Sequence, residues 1–268
     1  MLQKLLASLE KEKDPLLLEY MSDKIGILFW QFLTPAQRQL LSKQADDILF
    51  DQIALAKDKS LKRTLFNCYR NIASSHDGIL NLKKLWKDEI TLGLELSERD
   101  HIQLAYELAI REAEGHEAIL KEQLGKISNP DRKAEMEFII PSLSNEEAVR
   151  DRLFESLKKK ENRTHEPWVL EAQRYLNHPL RAKTSVKYIK PGLELLEEMQ
   201  QTGDIFFPKG WLDATLGEYQ SEEAASQVRA YLNENKGLRQ DLKNKLLQST
   251  DMLWRAEKIV KKDGVVNK

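Results

Sequence analysis

Apolar residues recur three and four positions apart along most of the chain, as in Val149, Leu153, Phe154 and Leu157, or Leu238, Leu242, Leu246 and Leu253. That spacing places them on one face of a helix, whereas the strict alternation that marks a half-buried strand is nearly absent. Helix starts are signalled repeatedly. Asp14-Pro15, Thr34-Pro35 with Gln37, and Asn129-Pro130 each put a side-chain oxygen ahead of a proline at the first helical position, where a missing N–H costs nothing. Ser97 with Asp100, and Ser144 with Glu147, have the spacing of a reciprocal cap. Gly203 and Gly217 stand where helices end, and Asn177-His178-Pro179 turns the chain between neighbours. These signals predict roughly twelve to fourteen helices joined by short polar links.

Weak internal repetition suggests how those helices pack. Tyr188-Ile189-Lys190-Pro191-Gly192-Leu193 echoes Phe138-Ile139-Ile140-Pro141-Ser142-Leu143, and Trp168-Val169 returns as Trp211-Leu212, 43 positions on. HEAT and armadillo helix pairs repeat every ~40–47 residues. One such pair cannot bury its apolar face alone, so neighbours stack into a continuous core. The expected fold is all-α, an irregular α-α superhelix of HEAT/armadillo-like helix pairs, with residues 1–268 forming one elongated repeat domain. A long irregular helical bundle is the alternative architecture.

Composition narrows the function classes. Lys plus Arg is 42 against Asp plus Glu 43, a formal net charge of -1, so there is no basic surplus for nucleic acid. The longest apolar run, Ile25 to Trp30, is far shorter than a membrane span of ~18 or more residues. The opening stretch carries Glu and Lys where a signal peptide has an apolar core, so either the protein is not exported or the sequence begins inside a longer one; the charged fraction of 32% fits a soluble chain. A single cysteine, Cys68, leaves no partner for an internal disulfide and reads as a small buried hydrophobe.

Catalytic signatures are thin. A helix-borne zinc site needs two histidines four apart with a glutamate between them. His116-Glu117-Ala118-Ile119-Leu120 and His165-Glu166-Pro167-Trp168-Val169 start that pattern and end in an apolar residue where the second ligand belongs. The other histidines are scattered, and neither a phosphate-binding glycine loop nor a Gly-x-Ser-x-Gly elbow is present. Asp46-Asp47 and Glu197-Glu198 are adjacent acidic pairs. Neighbours on a helix point ~100° apart, so these read as solvated faces rather than acid–base dyads. No catalytic residue, metal ligand or cofactor of the chain's own is expected.

Two segments stand out against this background. Asn162 to Arg181 gathers Arg163, His165, Glu166, Trp168, Arg174, His178 and Arg181 between prolines, and Thr202 to Gly217 breaks the helical pattern while carrying Phe206, Phe207, Lys209 and Trp211. Large aromatics in a loop either cap a core or face a partner. On the first reading the aromatics plug gaps between helix pairs while Arg and Glu cap helix ends. On the second, the aromatics and cations of both segments line a recognition surface.

Those two segments, together with Asn67 to Glu89 and Asn129 to Ser144, resemble the C-terminal helical region of M1-family zinc aminopeptidases, especially bacterial forms, and the likeness spans most of the chain. The family's catalytic domain carries a His-Glu-x-x-His zinc motif and a Gly-x-Met-Glu-Asn motif that holds the substrate's amino terminus; neither occurs here. The resemblance implies a non-catalytic domain of a larger zinc aminopeptidase. Its partners would be the parent's catalytic domain and a peptide substrate: Arg163, His165, Arg181 and Lys209 would meet the peptide's carboxylate or carbonyls and Phe206, Phe207 and Trp211 its side chains, with Glu166 and Trp168 as further contacts, zinc held in the other domain, and the parent cytoplasmic or periplasmic. A stand-alone helical-repeat scaffold that binds a protein or peptide is the alternative. The apolar beginning, with Leu16, Leu17, Leu18, Ile27, Leu28, Phe29, Trp30, Phe32 and Leu33, suits a domain that continues from another.

Overall fold

A computed structural model describes the backbone of residues 1–266 and the side chains of residues 1–260. The fold is all-α, with no strand among the described residues. The chain divides into two compact units, Met1–Ser128 and Asn129–Lys268.

The first unit contains α1 (Leu2–Leu9), α2 (Pro15–Ile27), α3 (Pro35–Leu55), α4 (Lys59–Ile72), α5 (His76–Trp86), α6 (Glu98–Ile110) and α7 (His116–Lys126). Helices α2, α4 and α6 lie side by side in one layer and α1, α3 and α5 in the other; α1 packs on α2, α3 on α4, and α5 on α6 across the layers. This is the stacking that helix pairs require to bury their inner faces. Contacts between successive pairs recur at the repeat spacing. Trp30 Nε1 donates to the Asn71 carbonyl at 3.2 Å, 41 positions away, and Arg111 Nη2 reaches the same carbonyl at 2.6 Å.

In the second unit α8 (Pro130–Leu143), α10 (Glu166–Leu176), α14 (Phe207–Leu216) and α16 (Gln240–Val266) are successive neighbours in one layer. The other layer holds α9 (Glu147–Leu157), α11 (Ala182–Ser185), α12 (Ile189–Glu194) and α15 (Glu222–Glu234), while α13 (Leu196–Thr202) packs beside α12, α14 and α16. Gln173 Nε2 donates to Thr215 Oγ1 at 3.1 Å and Tyr219 Oη to Asn177 Oδ1 at 2.9 Å; both partners are 42 positions apart. These buried bonds fix the register of α10 against α14. Trp168 and Trp211 therefore sit in adjacent helices of one layer but one position out of step. The Phe138–Leu143 echo is looser: it lies in α8 of one layer, whereas Tyr188–Leu193 lies in the other.

The predicted caps form at Asp14, Thr34, Ser97 and Asn129, and the Thr34–Gln37 and Ser97–Asp100 pairs each bond reciprocally. Ser144 differs. Its Oγ accepts from Glu146 N at 3.1 Å, forming a local turn, and the helix begins at Glu147 with Glu146 at the cap position. Asp46 also departs from the solvated reading. It is 2% exposed and accepts from Ser74 N and Ser75 N at 3.1 and 2.8 Å, capping the start of α5, while Asp47 stays outside and pairs with Lys43. Gly78 permits this approach, because a Cβ there would lie 2.2 Å from Asp46 Oδ2. Burial pushes the Asp46 carboxyl up, and the Ser75 and Ser74 hydrogen bonds oppose that rise.

Buried arginines supply the complementary caps at helix C-termini, whose last carbonyls have no intrahelical donor. Arg38 donates to the Trp30 and Leu33 carbonyls at the end of a π turn (Leu28–Phe32) that prolongs α2, Arg111 to those of Asn71 and Ala73, and Arg150 to those of Ser144 and Asn145. A guanidinium suits this role because its planar fork serves several acceptors at once and favours the negative end of the helix dipole.

Candidate functional site

The two unusual sequence segments meet. An open cleft of about 530 Å³ lies between the stretch from Lys160 to Glu166 and the stretch from Thr202 to Phe207. Its walls are Lys160, Glu161, Arg163, Thr164 and Glu166 on one side and Thr202, Gly203 and Phe207 on the other. The first wall is a 3-10 turn, Lys160–Arg163, running into the start of α10; the second is the link from α13 to α14.

Two polar ties hold the walls together. Glu166 Oε1 accepts from Asp204 N at 2.8 Å, so the first carboxylate of α10 fixes the opposite loop. Arg163 pairs with Glu198 of α13 through Nη2 and donates from Nη1 to the Leu157 carbonyl at 2.6 Å. Arg163 is only 5% exposed. The loop leaves no room for a side chain at residue 203, where a Cβ would lie 2.8 Å from Phe207 Cδ1 and 3.0 Å from the Met199 carbonyl oxygen. Beneath it, Phe207 is buried and tilts against Trp211 with ring centroids 6.3 Å apart.

The remaining residues singled out by sequence are placed as follows. His165 is exposed and stacks on Trp168 at 4.0 Å between centroids; Trp168 in turn tilts against Phe138 at 6.1 Å. Arg181 is buried and directs Nη2 to the Leu143 carbonyl at 3.4 Å, another C-terminal cap. Lys209 pairs with Asp213 one turn along α14 at 2.6 Å. Trp211 is fully buried and donates from Nε1 to the Gly192 carbonyl at 2.9 Å. Phe206 is 79% exposed and Ile205 beside it 67%.

The cleft thus gathers Arg163, Glu166 and Phe207, with Phe206 at its margin, while Arg181 and Trp211 serve the helix stack. Lys160, Glu161, Thr164 and Thr202 belong to the same place and were not singled out from sequence, while Glu198, half of an acidic pair read as a solvated face, is the partly exposed carboxylate that meets Arg163. No local signal marks those four; Gly203 of the second wall was recognised only as a helix end. Lys160 and Glu161 set opposite charges on one wall, and the Phe207 ring adds an apolar edge. That mixture suits contact with a polypeptide segment more than with an ion of either sign. Of the histidines that opened incomplete zinc motifs, His116 turns Nδ1 to the Ala113 carbonyl at 3.1 Å and His165 is engaged with Trp168. Among the described residues no group of three or more His, Cys, Asp or Glu is placed to hold a metal ion, and no helix is long and apolar enough to cross a membrane.

No protein-family model matches this sequence, and no curated protein matches it.

Proposed function

We propose that this chain is a non-catalytic helical-repeat domain of a zinc aminopeptidase, packing on the parent's catalytic domain and shaping the access of peptides to its cleft. The carrying observation is the meeting of the Asn162–Arg181 and Thr202–Gly217 segments, both part of the family resemblance, at one open cleft. Stacked helix layers also suit the role, since they offer large preformed surfaces without needing a ligand to order them. In this reading zinc would be held by residues of the other domain and would supply Lewis-acid chemistry toward the scissile carbonyl and water. The chain's own residues hold the walls of the access route: Arg163 and Glu166 fix them, and Lys160, Thr164 and Thr202 present polar groups to a passing peptide.

The test compares the parent's catalytic portion with and without this chain. Hydrolysis of a small aminoacyl amide and of peptides of increasing length is measured in parallel. The reading expects preference among peptide lengths to change when the chain is removed. Identical length profiles would reject it, and would favour a stand-alone scaffold that binds a protein or peptide.

A further inference from the structure

A second groove lies in the first unit, where the α1–α2 link (residues 10–14) and the α3–α4 link (residues 56–58) come together at one end of the first two helix pairs. Its volume is about 700 Å³, within the range that holds small-molecule ligands. The floor is aliphatic. Leu9, Leu18 and Leu65 are 3%, 2% and 4% exposed, with Leu61 half-buried beside them. Leu55 forms the lip and is 71% exposed. Leu49 and Ile53 of the same helix face the core, and Leu55, a further ~200° around from Ile53, is turned out of it.

The rim is charged, and most of its acids are already engaged. Glu12 Oε1 accepts from Lys13 N and Asp14 N, both at 2.8 Å, beside the start of α2. Asp58 Oδ1 accepts from Ser60 N and Leu61 N at 2.8 and 3.0 Å, at the positive end of α4. Lys13 and Lys57 are exposed and form no ion pair among the described residues, and Glu10 is the one rim carboxylate left uncommitted there. Two free cations therefore stand against one free anion. Asp14 caps α2 as Asp58 caps α4, so the Leu16, Leu17, Ser60 and Leu61 N–H groups that would seat a phosphate are taken. A polypeptide is also poorly served, because each of its residues brings an N–H and a C=O, and Gln52 is the only neutral hydrogen-bonding side chain on these walls.

We propose that this groove binds a medium-chain fatty acid, its hydrocarbon tail along Leu9, Leu18, Leu55 and Leu65 and its carboxylate drawn to Lys13 and Lys57. An unbranched alkyl chain needs no hydrogen-bond partner, which matches the aliphatic floor, and one anionic head matches the uncommitted lysines at the rim. The bound tail covers the exposed Leu55 and joins the first helix pair to the second. The site lies apart from the peptide cleft of the second unit and is independent of whether the chain belongs to a peptidase.

The test is isothermal titration calorimetry of the chain with sodium decanoate, with octanoate, and with decyltrimethylammonium, which has the same tail length and the opposite charge. Decanoate should bind saturably, octanoate about tenfold more weakly for the loss of two methylenes, and decyltrimethylammonium at least about fivefold more weakly than decanoate. Leucine methyl NMR spectra should shift at Leu9, Leu18, Leu55, Leu61 and Leu65 when decanoate is added. A Lys13→Gln, Lys57→Gln variant should lose the preference for the anion with its thermal unfolding unchanged, since both side chains are exposed. Ala56→Trp should fill the groove and abolish binding. No saturable heat with decanoate, equal affinity for the two charges, methyl shifts confined to other leucines, or an Ala56→Trp variant that binds like wild type would each overturn the assignment. So would amine-labelling of the longest polypeptide that the gene encodes, if Lys13 and Lys57 proved shielded there without added decanoate, because a protein segment would then occupy the groove.

Discussion

Replacing Arg163 by Ala separates a residue that builds the cleft from one that merely lines it. The guanidinium is 5% exposed, and its Nη1 donates at 2.6 Å to the carbonyl of Leu157, the last residue of α9. Leu157 is itself fully buried, so water does not readily replace the donor. A hydrogen bond from a charged group contributes ~1.5–3 kcal/mol, and an abandoned buried acceptor costs about the same again as a single effect rather than an added one. The pair with Glu198 adds little, because the Glu198 side chain is 40% exposed and solvent screens it; ~0–1 kcal/mol is appropriate. Together these give a loss of about 2–4 kcal/mol, or roughly 4–16 °C in Tm for a domain of this size. Urea unfolding followed by far-UV circular dichroism measures it directly. Glu198→Gln should lose less than ~1 kcal/mol, because Leu157 keeps its donor. An Arg163→Ala variant within ~0.5 kcal/mol of wild type would refute the capping role and return Arg163 to the set of free ligand contacts.

Gly203→Ala should cost about 1–3 kcal/mol, since the new methyl meets Phe207 and the Met199 carbonyl; differential scanning calorimetry checks it, and a neutral result would mean the α13–α14 link yields easily. Trp211→Phe keeps an aromatic ring but removes the donor to the Gly192 carbonyl and some volume, for an expected loss of about 1–3 kcal/mol in the same assay. Hydrogen bonds from Lys187 and then Tyr188 hold the Asp151 carboxyl below its usual range, so its contribution is present above the unfolded value of ~3.9 and lost as pH falls through the folded one. Asp151→Asn should accordingly flatten the acid limb of a stability–pH curve below about pH 4. Burial pushes the Cys68 thiol up to about 12, so iodoacetamide at pH 8 should label it only as fast as the protein opens; labelling at the rate of an exposed thiol would contradict its placement.

Features decided within a few residues were legible from sequence. Asp14, Thr34 with Gln37, Ser97 with Asp100, and Asn129 cap helices because their oxygens reach N–H groups two or three positions on, whatever the rest of the chain does. Ser144 shows the limit: Ser, Asn and Glu compete for one helix start, and the local turn at Ser144 moves it by two residues. Features decided across a repeat were visible only in outline. The interval between Trp168 and Trp211 correctly pairs α10 with α14, but the register comes from Gln173 with Thr215 and Asn177 with Tyr219, polar pairs that no hydrophobic pattern reveals.

Charge was the least legible property. Arg163 and Arg181 look like ligand contacts in a sequence, yet the backbone carbonyls they serve carry no sequence signature at all. Asp46 and Asp47 are indistinguishable as letters, and only the close approach of Gly78 selects one for burial. The same blindness applies to Leu16 and Leu18, two apolar residues on one helix that face opposite ways because α4 stands on a single side.

The most direct test of the functional account is zinc content by mass spectrometry, paired with hydrolysis of aminoacyl fluorogenic substrates, on this chain and on the longest polypeptide its gene encodes. The account predicts zinc and activity in the longer protein and neither in residues 1–268 alone. Stoichiometric zinc with zinc-dependent hydrolysis by the isolated chain would contradict it.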